Sequence, residues 1–398
     1  MSETRTPPRV EIVVDLDALR HNLRQLRELM TPLPGEGGVP ALMVVVKADG
    51  YGHGMHRVAR AARQAGAEWL AVATLDEAVA LRDGGDEGQL LCWLTVPADD
   101  FGPTLQRGVQ VSAYDVEQLD RIAAAAHVLG VVAEVQLKVD TGLSRGGSSY
   151  DAWPGVVARA VELESTGRVR VTGLWSHFAC SDEPEHPANN TQERVFREAL
   201  VVAEAAGLRP EVRHLANSAA AVLRPSSRFD VVRLGIASYG LTPAPGVVSS
   251  AELGLRPAMT ARATLALVKA IAAGEGVSYG HTFVAKQPMT VGLVPAGYGD
   301  GIPRHASNTA EVTVRGTRCP VLGRICMDQF VVDVTGVGAE PGDEVLLFGS
   351  GEGGEPLAQD WAEACGTISY EIVTRIGGRM ARSWRGERAN GFADGEAT

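Results

Sequence analysis

A chain of 398 residues, 45% hydrophobic, with 37 basic against 48 acidic residues and a formal charge of −11, is long enough for one large α/β domain and a smaller second one. The acidic excess, with no basic run interleaved with aromatics, argues against a nucleic-acid surface, and the longest apolar runs fall far short of a membrane span. The opening MSETRTPPRVEIVV has no charged head, apolar core and cleavage site in series, so a cytoplasmic address is expected. Five cysteines without a CxxC pair are read as reduced thiols, neither a disulfide framework nor a zinc site.

The first strand candidate is EIVVDL at 11–16, which could pair with either domain. Leu16, Leu19, Leu23, Leu26 and Met30 then fall on one helical stripe, with Asp15 or Asp17 available to cap its start. From there short runs rich in Val, Leu and Ile alternate with Ala-rich helical stretches. The runs are VPALMVVV at 39, WLAVA at 69, QLLCWL at 89, VQVSA at 109, VVAEVQLKV at 131, VRVTGLWSHF at 169, VRHLA at 212 and FDVVRLG at 229. Helical patterns such as DVEQLDRIAAAAHVLG at 115 separate nearly all of them, so parallel pairing is expected. These βα units suit a (β/α)8 TIM-type barrel better than the alternative, an open doubly wound sheet. Beyond about residue 255, MTARATLALVKAIA, MTVGLVPAGYG, AEVTVRGTRCPVLG, QFVVDVTGV and DEVLLFG are strand-like runs joined by Gly-rich turns. The expected division is a barrel over 1–254 and a mainly-β domain over 255–398, with GVVSSAELGL at 246–255 as the boundary.

Barrels of this kind carry their chemistry where strands end. Lys47 closes one run; Lys138 and Asp140, His177, Asn217 and Ser218, and Arg233 close others. Each alone reads equally well as a solvated strand end, but together they describe one polar rim. A lysine at the end of a buried strand is partly desolvated, which lowers its pKa and supplies the neutral amine that attacks an aldehyde to form a Schiff base. A cofactor phosphate would find partners at Asn217-Ser218, at Gly235-Ile236 and at a tyrosine hydroxyl. No GxxxxGK[ST] loop is present, which removes the usual support for nucleotide hydrolysis.

VVVKADGYGHG (44–54), LKVDTGLSRGG (137–147), WSHFACSD (175–182), HLANSAA (214–220), VRLGIASYG (232–240), VSYGHTF (277–283), AGYGDG (296–301), RICMDQF (324–330) and ISYEIVTRIG (368–377) together resemble the motif series of bacterial alanine racemases, enzymes dependent on pyridoxal phosphate (fold-type III). The resemblance implies that Lys47 holds the cofactor as an aldimine and acts as one acid/base, with Tyr279 as the second on the opposite face. Tyr51, Ser218, Gly235, Ile236 and Tyr370 match phosphate contacts. Arg233 would face the pyridine nitrogen, His177 would link it towards the catalytic tyrosine, and Asn217 would neighbour that chain. Arg145 matches a contact to the cofactor's phenolic oxygen and the substrate, and Lys138 a lysine often carbamylated to hold that arginine. Tyr298 and Met327 match the substrate pocket.

In the family Tyr279, Tyr298 and Met327 would come from the other subunit, so the resemblance also implies a homodimer with shared sites, interconverting L- and D-alanine as a supply of peptidoglycan precursor. No metal is implied. The rivals are a racemase of broader specificity, a related amino-acid decarboxylase, and a non-catalytic cofactor carrier. VSYGHTF and ICMDQF speak against the decarboxylase, and the second domain against the carrier. Three further features have plain readings: His53 and His56 lack an evident third metal ligand, Cys326 is a buried thiol, and the six tryptophans fill cores or domain contacts.

Overall fold

The computed structural model describes residues 8–31 and 38–388. Strand β1 (Val10–Asp15) is buried along its length and leads directly into a helix over Leu16–Leu29. Of the two capping candidates Asp15 does the work, its carboxylate accepting the N–H groups of Asp17 and Ala18 at 2.8 and 3.0 Å. Asp17 instead pairs with Arg20 at 2.8 Å. Leu16, Leu19, Leu23, Leu26 and Met30 are all buried, as the helical stripe requires.

Eight parallel strands follow: β2 (Ala41–Val45), β3 (Trp69–Val72), β4 (Gln89–Cys92), β5 (Gln110–Ala113), β6 (Ala133–Lys138), β7 (Val169–Trp175), β8 (Val212–His214) and β9 (Val231–Leu234). They pair in the order β8-β7-β6-β5-β4-β3-β2-β9. Two further backbone bonds bring β9 against β8, Asp230 N–H to Arg213 O at 3.1 Å and Arg233 N–H to Ala216 O at 3.0 Å. The sheet therefore curls into a nearly closed barrel rather than an open doubly wound sheet. Helices on its outside include Val116–Leu129, capped by Asp115 through Gln118 N–H at 2.7 Å, and Pro187–Ala205.

One irregularity bears on function. β6 and β7 pair Val135 with Val171 but Gln136 with Gly173, so Thr172 is an extra residue in β7. Such a bulge re-aims a side chain. The Thr172 hydroxyl, fully buried, reaches Gln110 Oε1 of β5 at 2.7 Å.

The remaining strands are β10 (Met259–Thr264), β11 (Leu267–Ile271), β12 (Gly276–Val277), β13 (Phe283–Val284), β14 (Met289–Val294), β15 (Glu311–Val314), β16 (Thr317–Leu322), β17 (Phe330–Asp333), β18 (Glu344–Phe348) and β19 (Ala381–Arg385). β12 and β13 form a small ribbon. The others join β1 in one sheet, ordered β11-β14-β17-β16-β15-β18-β10-β1-β19. β1 thus lies between β10, antiparallel, and β19, parallel, and the chain starts in the second sheet before it builds the barrel. Among the described residues no helix is long and apolar enough to cross a membrane.

Because Asp15 satisfies two N–H groups at the junction of sheet and helix, Asp15→Ala is expected to lower unfolding stability by about 1 kcal/mol, read from urea unfolding at pH 7. An unchanged midpoint would show that solvent replaces the cap at no cost.

Candidate active site

Lys47 stands two residues beyond the end of β2, where the backbone enters a turn of left-handed helix. Ala48, Asp49, Gly50, Tyr51 and Gly52 have φ of 51°, 53°, 62°, 53° and 79°. Such conformations cost side-chain-bearing residues about 1 kcal/mol or more each, so the surroundings must hold them. Glu77 accepts the Ala48 N–H at 2.7 Å. Asp49 accepts the Met55 N–H at 2.8 Å and pairs with Arg382 of β19. The turn puts the Lys47 amine 5.7 Å from the centroid of Trp93 and tucks the Tyr51 phenol beneath the rim. Burial, reinforced by the Arg145 and Arg233 charges, lowers the Lys47 pKa below that of a free lysine, against a smaller opposing pull from Glu77.

Lys138 ends β6, its amine 4.5 Å from the centroid of Trp175. Burial first, then Arg233 and Arg145, push its pKa down to about 8. Among the described residues it makes no ion pair; Asp140 spends its carboxylate on the N–H groups of Gly142, Leu143 and Ser144 at 2.9, 3.0 and 3.2 Å. Arg145 lies exposed on the same loop.

Arg233, 3% exposed in β9, is the centre of the floor. Its Nη1 donates to His214 Nδ1 at 2.8 Å; its Nη2 donates to His177 Nδ1 at 2.9 Å and to the carbonyls of Ser176 and Leu215 at 2.8 and 3.0 Å. Burial pushes the guanidinium down to about 9, which leaves it charged at neutral pH. Both histidines are held neutral, their pKa values driven well below 6.5 by burial and then by the Arg233 charge. Since each accepts at Nδ1, each carries its proton on Nε2. Among the described residues the Arg233 Nε–H has no acceptor, so it is open to a ligand.

Across the floor, Ser218 Oγ accepts the Gly235 N–H at 2.8 Å. A Cβ on Gly235 would fall 2.6 Å from the Tyr51 hydroxyl, so only glycine allows the phenol and this backbone to meet. The Tyr370 ring centroid is 6.2 Å from that of Tyr51, and burial raises both phenols above their ordinary range, keeping them neutral donors. Ile236 is buried behind Gly235. The Asn217 Oδ1 caps the following helix through Ala220 N–H at 3.1 Å and accepts from the Ser181 hydroxyl at 2.9 Å.

The β-domain candidates form a separate group. Ser278 bonds to Arg324 O at 2.6 Å, tying the Tyr279 turn to the loop that carries Met327, and Tyr298 N–H donates to Cys326 O at 3.0 Å. Tyr279, Tyr298 and Met327 are 72%, 44% and 54% exposed, and neither phenol hydroxyl has a hydrogen bond among the described residues. Cys326 is half-buried, with Sγ 3.3 Å from Ser278 Oγ. His53 is wholly buried with Nδ1 within 3.1 Å of the Gly50 and Tyr51 carbonyls.

Sequence reading missed three members of this site. His214 ends β8, but the run VRHLA continues past it in the sequence, which hides it as a strand end. Trp93 and Trp175 are not plain core residues, because they face the amines of Lys47 and Lys138, and Trp175 also stacks on His214 at 5.5 Å. Each follows or ends an apolar strand, the same signal that singled out Lys47.

The buried neutral histidines fix a pH dependence. An unfolded histidine titrates near 6.5; the folded pKa of His53 is pushed down to about 4, and those of His177 and His214 lie well below 6.5. Below 6.5 the unfolded chain binds protons that the folded one refuses, so stability present above that pH is lost as it falls. Urea unfolding at pH 7 and 5.5 is expected to differ by about 1 kcal/mol for each of these histidines. Equal stability at the two values would mean that they are protonated in the fold.

Two family models match the chain: "Alanine racemase, N-terminal domain" over residues 14–243 and "Alanine racemase, C-terminal domain" over 258–384. Alanine racemase of Streptomyces coelicolor is 51% identical over 384 residues, covering 95% of this chain and 96% of that one. That of Salinispora arenicola is 49% identical over 379 residues, covering 95% and 99%. The crystal structure of alanine racemase from D-cycloserine producing Streptomyces lavendulae superposes with a TM-score of 0.93 at 49% identity, covering 96% of this chain and 99% of that one. Two matched family models in series, and near-half identity along almost the whole chain, place this protein in the alanine racemase family.

Proposed function

We propose that this chain interconverts L- and D-alanine with pyridoxal phosphate carried on Lys47. The observation that carries the reading is the charge of the floor: Lys47, Lys138, Arg145 and Arg233 act on one another at one rim, and among the described residues none of them pairs with a carboxylate. A cup of that kind calls for an anion. The donors fit a pyridine ring with a phosphate tail, Tyr51, Ser218, Tyr370 and the Gly235–Ile236 backbone at one end and the free Arg233 Nε–H at the other.

When bound, such a cofactor supplies a conjugated ring that takes up the electron pair left on the α carbon as its proton departs. The rest is the protein's work. Lys47, with its lowered pKa, takes or returns the proton on one face. Tyr279 does the same on the other, and His177, donating from Nε2, supports its phenolate. Arg233 hydrogen-bonds the ring nitrogen but does not protonate it, since a guanidinium gives up its proton reluctantly even at a pKa of about 9. Held by a donor that keeps its proton, the ring nitrogen would stay unprotonated, which would favour return of the proton to the α carbon. Arg145 would hold the ring's phenolic oxygen. With a pKa of about 8, Lys138 has an unprotonated fraction whose nitrogen can bond to the carbon of carbon dioxide and release a proton, leaving a carbamate that pairs with Arg145.

The exposure of Tyr279, Tyr298 and Met327 supports the second part of the proposal, a homodimer in which these side chains complete the cup of the partner subunit. Substrates larger than alanine are a matter of how closely that lid fits.

Purified protein given pyridoxal phosphate and L-alanine is expected to yield D-alanine on chiral analysis; its absence with cofactor bound defeats the proposal. Tyr279→Phe is expected to lower kcat by about 10²–10⁴, and Lys47→Ala to abolish activity. Mixing these two inactive variants under exchange is expected to restore about a quarter of the wild-type rate, because half the dimers then hold one intact site. No recovery in exchanging dimers would place both bases on a single chain.

A further inference from the structure

Burying a cation without a counter-ion is costly, and Arg233 has no carboxylate partner among the described residues. What it has is a line of side chains running down through the barrel. His214 Nε2 lies 2.6 Å from Gln136 Oε1; Gln136 Nε2 donates to Gln110 Oε1 at 2.7 Å; Gln110 Nε2 donates to Gln89 Oε1 at 3.0 Å. His214, Gln136 and Gln110 are at most 1% exposed, and Gln89 reaches solvent at the start of β4.

The polarity of this line follows from its upper end. A protonated guanidinium only donates, so His214 must accept at Nδ1 and donate from Nε2. Gln136 must then present its oxygen upward and its amide N–H₂ downward, and Gln110 likewise. Every amide places its negative end towards Arg233, and the dipoles add head to tail. The fold makes room for this arrangement at two places. A Cβ on Gly173 of β7 would fall 2.8 Å from Gln136 Cδ, so the strand carries glycine beside that side chain. The β7 bulge turns the Thr172 hydroxyl onto the same Gln110 oxygen at 2.7 Å.

We propose that Gln136 and Gln110, with Thr172, are positioning residues for the racemisation: they hold His214 in its Nε2–H form and thereby keep Arg233 charged and fixed beneath the cofactor ring. The inference rests on the function proposed above for the mechanistic part, but the state of His214 and Arg233 is a property of the protein alone. Without the line, His214 is free to place its proton on Nδ1, where it faces the guanidinium donor. Arg233 then loses an acceptor and its proton is held less tightly.

Gln136→Met keeps the length of the side chain and removes both polar groups. Nitrogen-15 histidine spectra of the protein as purified should show His214 as the Nε2–H tautomer in the wild type and as a mixture in Gln136→Met. Carbon-13 arginine spectra should show Arg233 titrating about one pH unit lower in the variant, with the alkaline limb of kcat/KM for alanine moving by the same amount. The rate kcat is expected to fall about tenfold, with KM within about twofold of wild type. An unchanged tautomer together with an unchanged Arg233 titration overturns the proposal, whatever the rate does. If Gln136→Met does not fold, Thr172→Val and Gln110→Met decide the matter: a downward shift of the Arg233 titration supports the line, and wild-type titration in both removes it. Racemisation by the wild type is read separately, so failure of the functional reading and failure of this one give different results.

Discussion

Arg233 is the group around which the rest of the site is arranged. A guanidinium inside a barrel wall cannot be neutralised by solvent, and this barrel offers it acceptors: two neutral imidazoles and two carbonyls. That choice dictates the protonation of both histidines. It makes His177 a donor from Nε2, and it adds to the effect of burial, the larger cause, in depressing the pKa values of Lys47, Lys138 and both histidines.

A second constraint is mechanical and comes from the other end of the chain. The left-handed turn behind Lys47 is a strained loop on the barrel, yet part of its support comes from β19, where Arg382 pairs with Asp49 and Trp384 Nε1 donates to His53 O at 2.9 Å. β19 lies against β1. The first strand, the last strand and the lysine turn are therefore one construction, and the strand that opens the chain has its place in the second sheet because the lysine turn needs that sheet at its back.

How much of this was legible in the sequence depended on position within a strand. Lys47, Lys138, His177 and Ser218 were found because they stand at the ends of apolar runs, and the structure brings them to one rim. His214, Gln136 and Gln110 lie within the apolar runs VRHLA, VVAEVQLKV and VQVSA, where a lone polar residue reads as the solvent side of an alternating pattern. In a barrel wall buried on both faces there is no solvent side, so the glutamines of VQVSA and VVAEVQLKV were a signal that could have been read. The β7 bulge left no such trace beyond the glycine of VRVTGLW. Asn217 was assigned to the neighbourhood of Arg233 by resemblance; its Oδ1 accepts from the Ala220 N–H and the Ser181 hydroxyl. The carbonyls bound to Arg233 lie outside anything that side-chain identity encodes.

The cup and the line beneath it also explain why the same residues can both bind an anion and change their own acidity. Among the described residues no carboxylate forms an ion pair with these cations, and the pulls of Glu77 on Lys47 and Asp140 on Lys138 do not cancel burial and the neighbouring positive charges. A phosphate dianion seated near Tyr51 and Ser218 relieves that repulsion, and by the same interaction it raises the pKa of the amines around it. On the proposed function, Lys47 would then give up a proton more readily before the anion arrives than after it. Arg233 does not follow this swing, because its acceptors lie within the barrel and are directed at it by the glutamines. Under the proposed two-base exchange, one lysine would change its protonation while the arginine on the same floor stays charged, and that difference is what such an exchange requires.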